Sequence, residues 1–320
     1  MFFFYILSFC QRHKDSSFID QTQVFLWIRM NEYEYTDKDL KEFLDVGVKL
    51  VKEAGSIMKS ANRSPKNVTL KTDSKDYASQ VLTETDQKVE KHLIAGLSKV
   101  FPDHEFIGEE SVSEGGDITK FSNNPTWIID PIDGTMNFIH NNPLVCTSMG
   151  LAINRKIVLG VVNCPMIDQL FTAITGKGAF LNGEKLSVSD CRSLEKAMVI
   201  CEVSCGENEA KKEANIGTMK NLLNNVQAIR CPGPAALDMC WIGAGYADSF
   251  FHFGIHCWDM AAGAIIIKEA GGVIMDPDGN DFDFMAKRCL CASSRELAEE
   301  MRKLIVSYKV DRDFPEVCKF

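Results

Sequence analysis

Apolar residues recur at helical spacing from Asp37 onward: Leu40, Phe43, Leu44, Val48, Val51, Ala54, Ile57 and Met58 mark one face of a long helix. Thr36 or Asp37 is placed to cap it. Residues 64–80 are polar, contain Pro65, and are expected to form a loop or short hairpin. A second amphipathic helix follows, with Val89, Leu93, Ile94 and Leu97 on its apolar face. Asp86 lies in its first turn, where a carboxylate complements the helix dipole. Then the period changes. Short runs at 104–107 and 127–129 read as strands, and those at 145–153, 157–164 and 169–174 succeed one another closely enough to imply antiparallel hairpins. After a turn at Asn182-Gly183 the chain alternates. Strands are expected at 197–203, 226–230 and 249–253, and helices at 207–224, 234–242 and 258–269. Gly271-Gly272 closes the last helix, and a strand at 273–275 runs to a turn at Asp278-Gly279. This mixture predicts a layered α/β fold, not an all-parallel sheet.

Composition narrows the function. The chain has 320 residues, 45% of them hydrophobic and 25% charged, which suits a globular protein with a large core. Its net charge of -9 argues against a nucleic-acid binder, which needs a basic face. If the substrate is an anion, metal ions must supply the local positive charge. The 12 cysteines are scattered, and Cys146, Cys201 and Cys240 sit inside apolar runs, so they are expected to be reduced thiols in a cytoplasmic protein. The run from Met1 to Cys10 is apolar, but far shorter than the roughly 20 residues that span a bilayer, and it lacks a clear small-residue cleavage site. No stable membrane insertion is expected. Residues 1–30 are set apart as a leader, 31–310 as the domain, and 311–320 as a C-terminal tail.

Candidate chemistry concentrates at Trp127 to Thr135, Trp-Ile-Ile-Asp-Pro-Ile-Asp-Gly-Thr. The apolar run is read as a buried strand that stops at Asp130, with Pro131 ending the ladder and Asp133-Gly134 making a tight turn. Two carboxylates are thus delivered at a strand's carboxyl end, where open α/β sheets place their ligands. They cannot sit together ionised without a cation, and Mg2+ is the natural hard partner. The aspartyl-phosphate phosphatases offer a rival reading, but their Asp-x-Asp-Gly-Thr spaces the carboxylates two apart. Here they are three apart with a proline between, which favours metal ligation over a nucleophilic Asp130.

Asp86, Glu109 and Asp259 complete an acidic set. Singly, each has a structural explanation as a helix-start, loop or capping residue. Trp258-Asp259 and Ile128-Ile129-Asp130, however, set charge against large apolar groups, which is costly unless paired or metal-bound. Gly108-Glu109-Glu110-Ser111, Trp127 to Asn137, and Gly254-Ile255-His256-Cys257-Trp258-Asp259 with Gly271-Gly272 resemble the inositol monophosphatase family in order and spacing, from about residue 37 to about 305.

That resemblance implies an αβαβα sandwich with mixed, largely antiparallel sheets, and a homodimer. It implies Mg2+ at two or three positions per site. One ion would be held by Glu109, Asp130 and the carbonyl of Ile132, a second by Asp130, Asp133 and Asp259, and a looser third near Glu109. Mn2+ is a substitute and Li+ an inhibitor. Thr135, with Asp86 or Glu109, would orient or deprotonate the attacking water. The N–H groups of Gly134 and Thr135 would hold phosphate oxygens. Asp133, Gly233, Pro234, Ala235, His252 and Asp259 would meet the rest of an inositol monophosphate.

Two positions depart from the family pattern. Gly-Thr-Ala becomes Gly233-Pro234-Ala235, and the customary Glu before the Gly-Ile-His-Cys-Trp-Asp motif is His252. A sister phosphatase acting on a sugar phosphate, histidinol phosphate or nucleotide 3'-phosphate is the alternative, and a catalytically silent scaffold the second. His256 is expected to be structural, Cys257 an inert buried thiol, Glu110 a support for Glu109, and Phe250, Phe251 and Phe253 core or interface. The segment 71–81 reads as a longer loop than the family's, near the site.

Overall fold

The computed structural model describes residues 32–65, 67–70, 81–116, 118, 121–203, 208–318 and 320. The expected leader and most of the long 71–81 loop lie outside these residues. The fold described here is that of Tyr35–Phe320.

Helix α1 (Asp37–Ala61) opens it, capped by Thr36, whose hydroxyl and the Asp39 carboxylate satisfy each other's backbone N–H groups. A two-stranded ribbon, β1 (Val68–Leu70) with β2 (Val81–Thr83), leads into α2 (Glu84–Val100). Both helices lie on one face of a seven-stranded sheet. That sheet runs β3 (Glu105–Gly108), β4 (Thr126–Asp133), β5 (Cys146–Ile153), β6 (Lys156–Cys164), β7 (Gln169–Ile174), β8 (Gly178–Leu181) and β9 (Glu184–Lys185) in sequence order. β3 and β4 are parallel and the remaining neighbours antiparallel, as close succession requires. Short helices α3 (Glu109–Ser113) and α4 (Thr135–Ile139) follow β3 and β4.

A second sheet has the order β11-β10-β12-β14-β13, built from β10 (Met198–Cys201), β11 (Ala228–Arg230), β12 (Ser249–Phe253), β13 (Val273–Met275) and β14 (Arg288–Ala292). Between the sheets lie α6 (Ala235–Gly243) and α7 (Cys257–Glu269). Their sequences, AALDMCWIG and CWDMAAGAIIIKE, are apolar nearly all round, as a helix covered on every side must be. The outer layer is α5 (Glu209–Leu223) and α8 (Arg295–Arg302). The layering is therefore αβαβα, with two mixed sheets. β14 and α8 were not anticipated from the pattern. Cys289 to Ala292 is buried throughout, so β14 shows no alternation to betray it.

The strand that carries Asp130 runs further than the sequence reading has it. Pro131 does not end its strand: pairing with β5 resumes at Asp133 after a bulge, because Pro131 and Ile132 are looped out of the ladder. Residues 311–318 also pack on the domain. Phe314 and Cys318 are buried, and Arg312 pairs with Asp283 at 2.6 Å. Phe250, Phe251 and Phe253 are core residues. The ten described cysteines are free, and most are buried. No helix among the described residues is long and apolar enough to cross a membrane.

The fit of α7 against the large sheet is close. A Cβ built on Gly160 of β6 would lie 2.6 Å from the carbonyl oxygen of Ala262. Backbone cannot yield as a flexible side chain does, so Gly160→Ala is expected to destabilise the protein by about 1–3 kcal/mol. A thermal melt checks this, and an unchanged midpoint would mean that the central layer has slack.

Candidate active site

The site begins with the bulge in β4. In a regular strand, side chains three positions apart point to opposite faces. Here Asp130 pairs with Ser148 and Asp133 with Cys146, so three steps on β4 match two on β5. The extra residue restores the phase and turns both carboxylates to one side. Thr147 stabilises the bulge by donating its hydroxyl to the carbonyl of Pro131 at 2.9 Å. Asp259, in the first turn of α7, completes a cluster. One carboxylate oxygen from each of Asp130, Asp133 and Asp259 lies within 4.8 Å of the others.

These charges are enclosed. Asp130 and Asp133 are buried and Asp259 partly so. Asp133 accepts the backbone N–H of Ala236 at 2.6 Å, and Asp259 that of His256 at 2.6 Å. Both bonds favour the ionised form but do not offset desolvation. Burial pushes Asp133 and Asp259 up to about 7, with Glu109 adding repulsion to the first and Asp133 to the second. Three like charges with only oxygen donors, in this confinement, fit a hard divalent cation.

Glu109 stands outside the tight cluster but close enough for its charge to act on both Asp133 and Asp259. It is the first residue of α3. Buried Glu90 of α2 holds that turn, accepting the N–H groups of Glu110 and Ser111 at 2.8 Å each. Asp86 closes a capping box with Thr83, whose hydroxyl donates to Asp86 Oδ2. Its other oxygen faces Thr135 Oγ1 at 3.5 Å, and that hydroxyl also lies 3.1 Å from the carbonyl of Ile132. The hydroxyl thus joins the carboxylate of Asp86 to the bulge carbonyl.

Gly134, at φ +89°, lets the chain turn from β4 into α4. Pro234 rests against it, 2.8 Å from where a Cβ would stand. Gly233, Pro234 and Ala235 therefore lead into α6 directly beside the Gly134 turn. His252 lies on β12, its Nδ1 buried without a hydrogen-bond partner. Burial, then the charge of Lys211, lowers its pKa to about 3, so the ring is neutral. His256 is structural: its Nδ1 meets Asp313 at 2.7 Å and its ring stacks on Trp258 at 4.5 Å. Burial raises the Cys257 thiol well above its usual range, consistent with an inert cysteine.

Sequence reasoning missed Thr83, Glu90, Ala236 and Asp313. Thr83-x-x-Asp86 carries a capping-box signature. The backbone N–H of Ala236 and the long-range partners Glu90 and Asp313 carry none.

The layered fold thus carries, at the junction of its large sheet and central helices, a three-carboxylate cluster that could hold a metal ion. The model of the inositol monophosphatase family matches residues 39–309. Inositol monophosphatase 1 of Homo sapiens is 42% identical over 274 residues, spanning 85% of this chain and 97% of that protein. The inositol monophosphatase of Dictyostelium discoideum is 40% identical over 269 residues, 83% of this chain and 96% of that one. Among solved structures, an IMPase from Thermotoga maritima superposes with a TM-score of 0.73 at 30% identity, covering 82% of this chain and 96% of that one. The chain belongs to the inositol monophosphatase family.

The raised carboxyls set a pH dependence. In the metal-free protein, Asp133 and Asp259 each contribute stability that is present below about 4, the unfolded range. That contribution is lost as pH rises through about 7. A divalent cation reverses the cost of ionisation, so Mg2+ or Mn2+ should raise the melting temperature more at pH 8 than at pH 5. Equal shifts at both pH values would contradict this electrostatic account.

Proposed function

We propose that this protein hydrolyses inositol monophosphates to inositol and phosphate by direct attack of water. The observation that carries the reading is the Asp130–Asp133–Asp259 cluster beside the Gly134-Thr135 turn, in a chain about 40% identical to named inositol monophosphatases. Asp130, Asp133 and Asp259 would hold one Mg2+. Glu109, with Asp130 and the carbonyl of Ile132, would hold another, with a looser third near Glu109. Bound there, such ions supply Lewis-acid polarisation of the phosphate ester and of a water molecule.

The chain's own residues do the rest. The N–H groups of Gly134 and Thr135 hold phosphate oxygens. The Thr135 hydroxyl, backed by Asp86, takes up the hydrogen bond of the attacking water, and the 3.5 Å separation seen here tightens when substrate binds. Glu109 is the second acceptor for that proton. Gly233, Pro234 and Ala235 meet the polyol, with Ala235 retaining the N–H that Pro234 lacks. We further propose a homodimer working in the cytoplasm, inhibited by Li+ at a magnesium position and able to use Mn2+.

Phosphate release from inositol, sugar and nucleotide monophosphates, with and without Li+, tests the reading. Inositol esters are expected to lead, with Li+ inhibiting, and no Mg2+-dependent release from any inositol ester would refute it. Asp133→Asn should lower turnover by at least about 100-fold while circular dichroism stays native; a fully active variant would remove Asp133 from the metal site. At the departure from the family pattern, His252→Glu should raise the preference for inositol phosphates over other esters by about 10- to 100-fold. An unchanged substrate profile would show that this position does not select.

A further inference from the structure

A second pair of carboxyl groups lies just behind the cluster, and no part of the hydrolytic scheme uses it. Asp238, in the first turn of α6, is completely enclosed. Both of its carboxyl oxygens are buried with no hydrogen-bond donor reaching them. The polar group within hydrogen-bond reach is the carboxyl of Glu202, just past the end of β10. Two carboxylates in that relation cannot both be ionised, whereas one shared proton turns the repulsion into a strong hydrogen bond. Asp238 is the more enclosed and carries the proton. Burial, followed by the negative charges of Glu202 and Asp133, raises its pKa well above the carboxylate range.

Glu202 is also tied to the backbone. Its Oε1 accepts the N–H of Gly233 at 2.9 Å. The adjacent carbonyl of Pro232 accepts Asn137 Nδ2 at 2.9 Å, and Ala236 reaches Asp133 at 2.6 Å. The stretch from 232 to 236 is thus fixed at three points: Asn137, Glu202 and Asp133. Pro234, between them, seats on Gly134.

We propose that Asp238 and Glu202 are joined by a carboxyl–carboxylate hydrogen bond, and that this pair braces Gly233-Pro234-Ala235 against the Gly134 turn, so that both are positioning residues for substrate binding. The proposal rests on the hydrolase reading above for the role of that loop, but the brace itself can be measured without turnover.

Amide hydrogen exchange of the peptide spanning 230–237 and steady-state kinetics on inositol monophosphate supply two independent readouts. Glu202→Ala, at a partly exposed position, should speed exchange in that peptide and raise KM about tenfold, with kcat within about twofold of wild type. Asp238→Asn, whose amide can donate the same hydrogen bond, should keep wild-type exchange and KM, whereas Asp238→Ala should match Glu202→Ala. Should Asp238→Ala fail to fold, Glu202→Ala against Asp238→Asn carries the comparison. Unaltered exchange in Glu202→Ala, or an Asn variant as impaired as the Ala variant, overturns the brace. Wild-type protein that releases no phosphate sinks the hydrolase reading instead, and the exchange data then judge the brace alone.

Discussion

Mutual repulsion among buried carboxylates is the constraint on which the site depends. Asp130, Asp133 and Asp259 are held together on rigid elements at the junction of the seven-stranded sheet and the central helices. Left to themselves they would part or stay protonated. The fold prevents the first, and a cation removes the reason for the second. What the scaffold contributes is confinement: a bulged strand that cannot slide, because β5 pairs with it on both sides of the bulge, and a helix locked between two sheets.

The supporting contacts follow the same logic. Glu90 fixes the turn that bears Glu109, Thr83 fixes Asp86, and Ala236 and His256 offer backbone N–H groups to Asp133 and Asp259. Each is a hydrogen bond that restricts a side chain or turn to one orientation. Together they make the acidic set a preformed receptor, which lowers the ordering cost of binding.

Much of this was legible in the chain. The helical period of 37–58 and the close succession of three strands pointed to a layered α/β fold, the family resemblance supplied its αβαβα order, and the motif around Asp130 pointed to metal ligation. The bulge was not legible. A proline after a buried run reads as a stop, and only pairing with β5 shows the ladder resuming at Asp133. That correction strengthens the site, since a regular strand could not face both carboxylates the same way. β14 escaped because burial on both faces removes alternation, and the supports Glu90 and Asp313 escaped because their partners are distant in sequence. Short-range pattern cannot register contacts of that kind.

Asp313 has a consequence for how the molecule comes into being. It accepts the N–H of Cys257 at 3.0 Å and pairs with His256, so it secures the start of the helix that bears Asp259. It also follows every other site residue along the chain. On the ribosome, the acidic pocket would stay unfinished until this last fastening emerges. A nascent or truncated polypeptide stopping short of it would expose α7's first turn to fraying, whatever the supply of metal.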